Sequence, residues 1–550
     1  MFTQLWRRAG ARNQQARKRS RTGRACPLHL ESLEDRCLLS GNVVARWNEL
    51  LLEAAQKAPP SRVPVFRNLA LASVAMYDAV NAIDRSYAPY FADVHASRGA
   101  SEEAAVAQAG HDTAVVLYPQ QQAVFDAELA ADLAGIPPGQ AKQGMEIGQA
   151  VAQQILALRS QDGAGAVIPY TPPNQDPGQW QPTPPDFTPA TTAHIPLMSP
   201  FAVTSGSQFA PPPPPALTSP EYAESFNEVK ALGSRNSTVR TPDQTQVAFL
   251  WRLPLTNIQV WNRIAQDMAT SKGLNLEQTA RLFALLDMTQ SDGLETSFTG
   301  KYHYALWRPI TAIRDPRSGE INPDTQSDPT WLTLHPTTPA FPTYPSNAAT
   351  EGGTGATILA SFFGTDQIPF QVHWDAYGFP GVTRSYPGFW AAATEEGRSR
   401  VYGGIHFSFD VTAGWELSRQ VGDYIFAHFL LPVSGNGDGG DSSAGIRSAA
   451  RGPGSANGPA FEVSAIIGAL SSSSSAPLAT VPGSVSPHGA EDLHSGIMID
   501  NDTPVSSTPA LTRSISSPTH ARVLDQVFAS IRDNRLSGAF ADDGGPAREE

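Results

Sequence analysis

The residues best suited to chemistry lie in three short segments that are far apart in the chain. The first, KYHYALWRP, sets Lys301 and Arg308 seven residues apart, with Pro309 directly after. Seven residues is about two helical turns, so a single helix would send both cations to the same side. Pro309 disfavours helical backbone at Arg308 and predicts that the helix ends there. An exposed Lys and Arg favoured by the dipole of a helix C-terminus would give the same pattern. The second segment, FPTYPSNAATEGGTGA, spans 341–356 and predicts a helix start with Ser346 as N-cap. Such a position offers a hydroxyl and the first backbone N–H groups to an anion, or simply caps the helix. The third, SRVYGGIHFSFD, spans 399–410. Its Arg400 and His406 are six apart, which on one straight helix separates them by about 120°. Gly403 and Gly404 lie between them and permit a break that lets both reach one ligand. His406 and Asp410 stand at i and i+4, so the carboxylate can hold one ring nitrogen and leave the other for a ligand. A purely structural His–Asp pair has the same spacing.

Cations, a hydroxyl and a histidine together suit an oxyanion, and helices must bring them together. Helical periodicity begins at Val43 and recurs through VARWNELLLEAAQKA, PVFRNLALASVAMYDAVNAID, Glu102–Tyr118, and the stretches ending near Pro137 and Gly163. It resumes at YAESFNEVKALGS, TPDQTQVAFLWRL and NIQVWNRIAQDMATSKG, then covers Asn275–Trp307, Ala348–Gly364 and Ala413–Leu431. No segment alternates clearly at period two, so the expected class is all-α, a helical bundle with long Pro-rich loops. The longest loop, 168–215, contains PPPPP at Pro211–Pro215 and reads as an extended surface excursion, either a wall of a site or inert.

The chain has 550 residues and a formal charge of −13. Residues 1–42 hold nine of the 39 Lys/Arg and three of the 52 Asp/Glu, leaving 30 basic against 49 acidic residues in the remainder. So acidic a body argues against a nucleic-acid partner, which needs a broad basic face. Any anion site must therefore be a local concentration of cations. The two cysteines, Cys26 and Cys37, both lie in the first segment, which rules out a disulfide framework in the body. No apolar run is long enough for a transmembrane segment. Residues 1–42 read as a leader: an Arg-rich stretch precedes LESLEDRCLLSGN, which resembles the LE-x-LEDR-x-LLS export or sorting signal of bacterial secreted and surface proteins. That implies a secreted or cell-surface location. The expected organisation is leader 1–42, one domain over 43–432, a Gly/Ser-rich linker over 433–482 with SSSSS at Ser471–Ser475, and a poorly ordered tail over 483–550.

The three segments, in this order, resemble the signature of the vanadium-dependent haloperoxidase and type 2 phosphatidic acid phosphatase superfamily, K-x6-RP, PSGH and SR-x5-H-x3-D. The first and third parts match in spacing, and the flanks KYHYALWRPITAIR and LALASVAMYDAVNAID resemble the haloperoxidase branch. The resemblance implies that Lys301, Arg308, Ser346, Asn347 and Arg400 bind the cofactor vanadate, or phosphate as the alternative occupant. It implies that His406 is the metal ligand and that His406, Lys301 and Asp410 are catalytic. Hydrogen peroxide, a halide and a small organic acceptor are the implied partners, and Phe341 takes the place of an aromatic near the halide. One position departs: PSGH is here Pro345-Ser346-Asn347-Ala348, so Ala348 replaces the family's acid–base histidine. Glu351, one turn further on, and His303 are the nearest substitutes for that lost acid. Three readings follow: a haloperoxidase weakened at Ala348, an acid phosphatase with His406 as nucleophile, or a secreted anion-binding protein without turnover.

Overall fold

The computed structural model describes residues 42–433, apart from 60, 62, 93, 97, 98, 253–255 and 378. The segments expected to be a leader, with the two cysteines, and a tail, and most of the expected linker, lie outside the described residues. Fourteen α-helices occur among the described residues. The first five are α1 (Val43–Lys57), α2 (Val65–Asp84), α3 (Glu102–Leu117), α4 (Gln122–Leu133) and α5 (Pro138–Leu158). Then come α6 (Pro220–Leu232), α7 (Pro242–Leu250), α8 (Thr256–Lys272) and the longest, α9 (Leu276–Tyr304). Two short helices, α10 (Pro309–Arg314) and α11 (Ser318–Ile321), precede α12 (Asn347–Phe363), α13 (Phe389–Tyr402) and α14 (Ser408–His428). The fold is all-α in character. The exception is an antiparallel hairpin of β1 (Phe370–His373) and β2 (Thr383–Tyr386), which pairs Phe370 with Tyr386. The sequence reading assigned neither this hairpin nor α13.

Local sequence explains where the helices begin. Ser101, Ser219 and Ser346 cap α3, α6 and α12 by accepting a backbone N–H, and Thr241–Gln244 and Asn275–Gln278 form reciprocal capping boxes. Packing explains the rest. Helix α9 is buried along most of its length and runs through the centre, against α2 on one side and α12 on the other. Helix α12 carries Gly352, Gly353 and Gly355, each costing roughly 1 kcal/mol of helix propensity. Close approach offsets that cost: a Cβ at Gly355 would sit 2.5 Å from the Trp261 ring, and one at Gly353 would overlap Ser418. No helix among the described residues is long and apolar enough to cross a membrane.

The excursion between α5 and α6 is bound to the domain rather than loose on its surface. Asp292 of α9 accepts the backbone N–H groups of Phe201, Ala202 and Val203 at 2.7–2.8 Å. The hydroxyls of Tyr304 and Tyr344 donate to the carbonyls of Pro211 and Pro212 at 2.8 and 2.7 Å. Prolines lack an N–H, so their carbonyls are the groups left for such anchors.

Buried polar residues on α9 make stability depend on pH. Asp287 is 1% exposed, and its Oδ2 accepts a 2.6 Å hydrogen bond from the Ser73 hydroxyl. Burial pushes its carboxyl up to about 7, with Ser73 and Asn262 acting in the opposite direction. The folded pKa lies above the ordinary 3.8, so this group's contribution is complete below about pH 4 and is lost as pH rises through about 7. Thermal melts of Asp287→Asn should therefore show a stability gain over wild type that widens by up to ~1.4 kcal/mol per pH unit across this window. The gain should level off above it. A gain that shrinks with rising pH would contradict the sign.

Candidate active site

The three chemical segments meet at one end of α9, α12 and α14. The path of the chain differs from the single helix that the Lys301–Arg308 spacing suggested. Helix α9 stops at Tyr304, where Ala305 turns left-handed at φ 46° and donates its N–H to the Lys301 carbonyl. Arg308 is extended (φ −80°, ψ 155°), as a residue before proline must be, and stands at the N-cap position of α10. The two cations nonetheless reach the same ring: Lys301 Nζ is 5.3 Å and the Arg308 guanidinium carbon 5.1 Å from the Phe341 centroid. The break expected at Gly403–Gly404 is present. Helix α13 ends at Tyr402, Gly404 takes φ 80°, and α14 starts at Ser408. Arg400 and His406 thereby line one cavity.

His406 is 3% exposed and held on both nitrogens. Nδ1 lies 2.8 Å from Asp410 Oδ2, and Nε2 lies 3.1 Å from Arg308 Nη1. A guanidinium can only donate, so Nε2 keeps its lone pair and the proton is on Nδ1, directed at Asp410. Burial, and then the charges of Arg308, Lys301, Arg400 and Arg252, hold His406 well below the usual imidazole range. The ring is therefore neutral, with an unprotonated Nε2. Asp410 fixes this tautomer. Its Oδ2 also accepts from the Thr343 hydroxyl and from the Phe407 N–H at 3.0 Å, while burial raises its carboxyl to about 6.

Arg308 is fully buried and donates from Nε to the Phe341 carbonyl and from Nη1 to the Ile405 carbonyl, both at 2.9 Å. Its Nη2 has no hydrogen-bond partner among the described residues. Burial lowers its pKa to about 9. Lys301 is also fully buried, but its Nζ bonds to the carbonyls of Thr343 (2.9 Å), Pro342 (3.2 Å) and Pro345. Burial, followed by Arg308, pushes its ammonium well below the ordinary range. Three carbonyls take its three protons, so Lys301 braces the 342–345 loop under Phe341 instead of facing the cavity.

The cavity has a volume of about 490 Å³; Arg252, Asn257, Asn347, Glu351, Arg400 and His406 are among its polar lining residues, and Ala348 lines it beside them. Ser346 is fully buried; its Oγ accepts the Ala349 N–H at 3.4 Å, and its own N–H goes to the Asp410 carbonyl at 2.9 Å. That N–H is thus spent, and the N–H groups of Asn347 and Ala348 are the helix-terminal donors left without partners among the described residues. Asn347 accepts the Ser297 hydroxyl at 2.8 Å through Oδ1, which leaves its amide NH2 unengaged. Arg400 makes no hydrogen bond to any described residue, and burial lowers its pKa. Glu351 lines the cavity; His303 is exposed, packs edge-on against Tyr304 and does not.

Sequence reasoning missed Arg252 and Thr343. Arg252 donates to the Thr337 carbonyl at 3.2 Å and is lowered to about 10 by burial and Arg400. Nothing in its surroundings, LWRLP, distinguishes it from a surface arginine. Thr343 has a weak signal, its position three residues before the capping serine. Among the described residues, no cluster of three or more His, Cys, Asp or Glu could hold a bare metal ion.

Comparison with known proteins places this arrangement. A model of the second helical-bundle domain of vanadium chloroperoxidase matches residues 281–435, which contain all three segments. Vanadium chloroperoxidase of Curvularia inaequalis is 28% identical over 281 residues, covering 40% of this chain and 45% of that protein. The chain thus spans less than half the length of this curated relative. Among solved structures, a bacterial vanadium-dependent iodoperoxidase aligns at TM-score 0.62 and 23% identity, over 75% of this chain and 100% of that one. A bacterial vanadium-dependent chloroperoxidase, in its holo form, aligns at TM-score 0.54 and 16% identity, over 68% and 94%. At those identities the two structures show the fold, a haloperoxidase-like helical bundle. Together with the sequence matches, which centre on residues 281–435, these findings support a place in the superfamily of the vanadium-dependent haloperoxidases.

The Thr343 hydroxyl is one of the few neutral groups that stabilise the Asp410 carboxylate. Thr343→Val keeps the shape and removes the donor, so Asp410 should titrate still higher than about 6. A raised folded pKa means stability lost as pH rises, so the variant should be destabilised by about 1–3 kcal/mol at pH 8 and by less at pH 5. Chemical denaturation at both values checks the order.

Proposed function

We propose that this protein is a vanadate-dependent haloperoxidase-like enzyme that oxidises halide with hydrogen peroxide and delivers the product to a small organic acceptor. The leader's export-like motif supports a role outside the cytoplasm. One observation carries the reading. Buried hydrogen-bond donors converge on a single cavity beside a neutral imidazole nitrogen, and too few anionic groups face them to match. Arg400, the Asn347 amide and the N–H groups of Asn347 and Ala348 belong to the cavity lining and have no acceptor among the described residues, and Arg308 Nη2, equally without one, is buried next to His406.

This donor set fits vanadate. Arg308, Arg400, Ser346 and Asn347 would hold its oxygens, and His406 Nε2 would be its one protein ligand. When bound, vanadate supplies an electrophilic oxyanion centre that activates hydrogen peroxide towards halide. The chain's own work is electrostatic. Fixed guanidinium charges in a dry wall stabilise concentrated negative charge with little reorganisation. Asp410 and Thr343 hold the His406 proton on Nδ1, and the Nε2 lone pair that accepts from Arg308 would be the one offered to the anion. Lys301 acts indirectly, by holding the loop that carries Phe341 and Thr343. The apolar side of the cavity, including Phe298, Leu294 and Ile258, suits the hydrophobic part of an organic acceptor.

The methyl of Ala348 favours a second reading, an anion-binding protein without turnover, because it cannot move a proton. It also weighs against a phosphatase, in which His406 would attack phosphorus and the leaving alkoxide would need an acid. Bromination of a dimedone-type acceptor with peroxide, bromide and added vanadate separates the readings, and turnover is expected only with vanadate present. Calorimetric titration tests the site: Arg400→Ala should weaken vanadate binding ~10–100-fold, the worth of a charged hydrogen bond. If that variant binds as tightly as wild type, the assigned site is wrong.

A further inference from the structure

We propose that Glu351 is the proton donor and acceptor of the cavity, taking over the task of the histidine that Ala348 replaces. This rests on the haloperoxidase reading above. Glu351 and Ala348 are three residues apart on α12, on neighbouring positions of one helix face, and both line the cavity. The carboxyl is anchored at one oxygen: Asn257 Nδ2 donates to Oε2 at 2.6 Å. The other oxygen, Oε1, has no partner among the described residues and is left for a ligand. A one-turn displacement thus returns an acid to the wall from which the imidazole is missing.

The surroundings suit a group that gives and takes protons. Arg400 of α13, Lys301 of α9 and Asn257 of α8 favour the charged form of Glu351, while burial opposes it more strongly and raises the pKa. Behind it lies Glu396 of α13, fully buried, with Oε2 accepting from Trp261 Nε1 at 2.7 Å and Oε1 without a partner among the described residues. Glu396 fits there because Gly352 has no side chain: a Cβ would come within 2.4 Å of Oε2. Two carboxyls beside one guanidinium in a dry site cannot easily both ionise. Burial, followed by Glu351, raises Glu396 well above the usual carboxylate range. Glu396, sealed from the cavity, retains its proton, and Glu351 at the cavity face is the one that exchanges.

The reaction requires such an exchange. Hydrogen peroxide, halide and one proton give hypohalous acid and water. The O–O bond breaks, the halide loses two electrons and bonds to one oxygen, and the other oxygen leaves as water. Glu351 hands its proton to that departing oxygen and regains one from solvent at the cavity mouth.

The test compares wild type with Glu351→Gln and with Glu351→Gln combined with Ala348→His. The amide can still accept from Asn257, so Glu351→Gln should fold and bind inorganic vanadate nearly as tightly as wild type. It should take up fewer protons on binding, as read by calorimetry in buffers of different ionisation enthalpy. Its kcat for bromide should fall ~10²–10⁴-fold, and the pH dependence assigned to this carboxyl should vanish. Adding Ala348→His should recover much of the loss. A Gln variant with wild-type proton uptake, kcat and pH profile would overturn the proposal, as would a wild type that binds vanadate without turnover. A wild type that binds no vanadate at all would overturn the haloperoxidase reading beneath it, so the two failures are told apart.

Discussion

Desolvated positive charge is the constraint that governs this structure. Arg308 and Lys301 are fully shielded from solvent behind the cavity wall, and Arg400, nearly as buried, lines the cavity with Arg252. Burying an ion costs several kcal/mol even after relaxation, and here carboxylates supply only part of the compensation. Much of the remainder comes from backbone carbonyls. The loop between Phe341 and Pro345 turns four of them towards the two innermost cations. Peptide dipoles offset charge without cancelling it, which is the physical basis of the anion-binding site proposed above. The glycine-tight contacts of α12 and the buried length of α9 provide the rigidity that keeps these groups from relaxing apart.

The same constraint sets the state of the histidine. Beside several cations an imidazole resists protonation, and Asp410 decides which nitrogen holds the remaining proton. A carboxylate, a threonine and an arginine thus define one tautomer of one ring through three hydrogen bonds. Each depends on a different element, α14, the loop before α12, and the approach to α10, so the ring's orientation reports the correct assembly of all three.

Much of the helical architecture was legible in the sequence, because alanine-rich amphipathic runs bounded by Ser, Thr or Asn caps specify helices locally. The Gly403–Gly404 break and the cap at Ser346 were legible for the same reason. Helix α13 and the hairpin were not, since Phe389–Tyr402 has little periodic signal and the strands are four residues each. The spacing of Lys301 and Arg308 pointed to the right neighbourhood through the wrong geometry. The left-handed turn at Ala305 is a tertiary outcome, tied by the Trp180 N–H to the Ala305 carbonyl, and no glycine announces it. The division of labour at the site was hidden too. Which cation faces the cavity and which props up a loop depends on carbonyls whose directions are set by folding. The reach of the Pro-rich excursion was equally hidden, since its anchors are a buried Asp292 and two tyrosines distant in sequence.

The lone pair on His406 Nε2 carries a last consequence. An unprotonated imidazole nitrogen is ordinarily an attractive ligand for zinc, copper or nickel ions. Here any bare divalent cation would have to settle beside Arg308 and share the pocket with Arg400 and Arg252, a repulsion worth roughly 8 kcal/mol for a doubly charged ion about 4 Å from one guanidinium at an effective dielectric of 20. The pocket is therefore guarded against adventitious poisoning by common transition ions. A metal can approach this nitrogen only when already wrapped in enough oxygen to arrive as an anion.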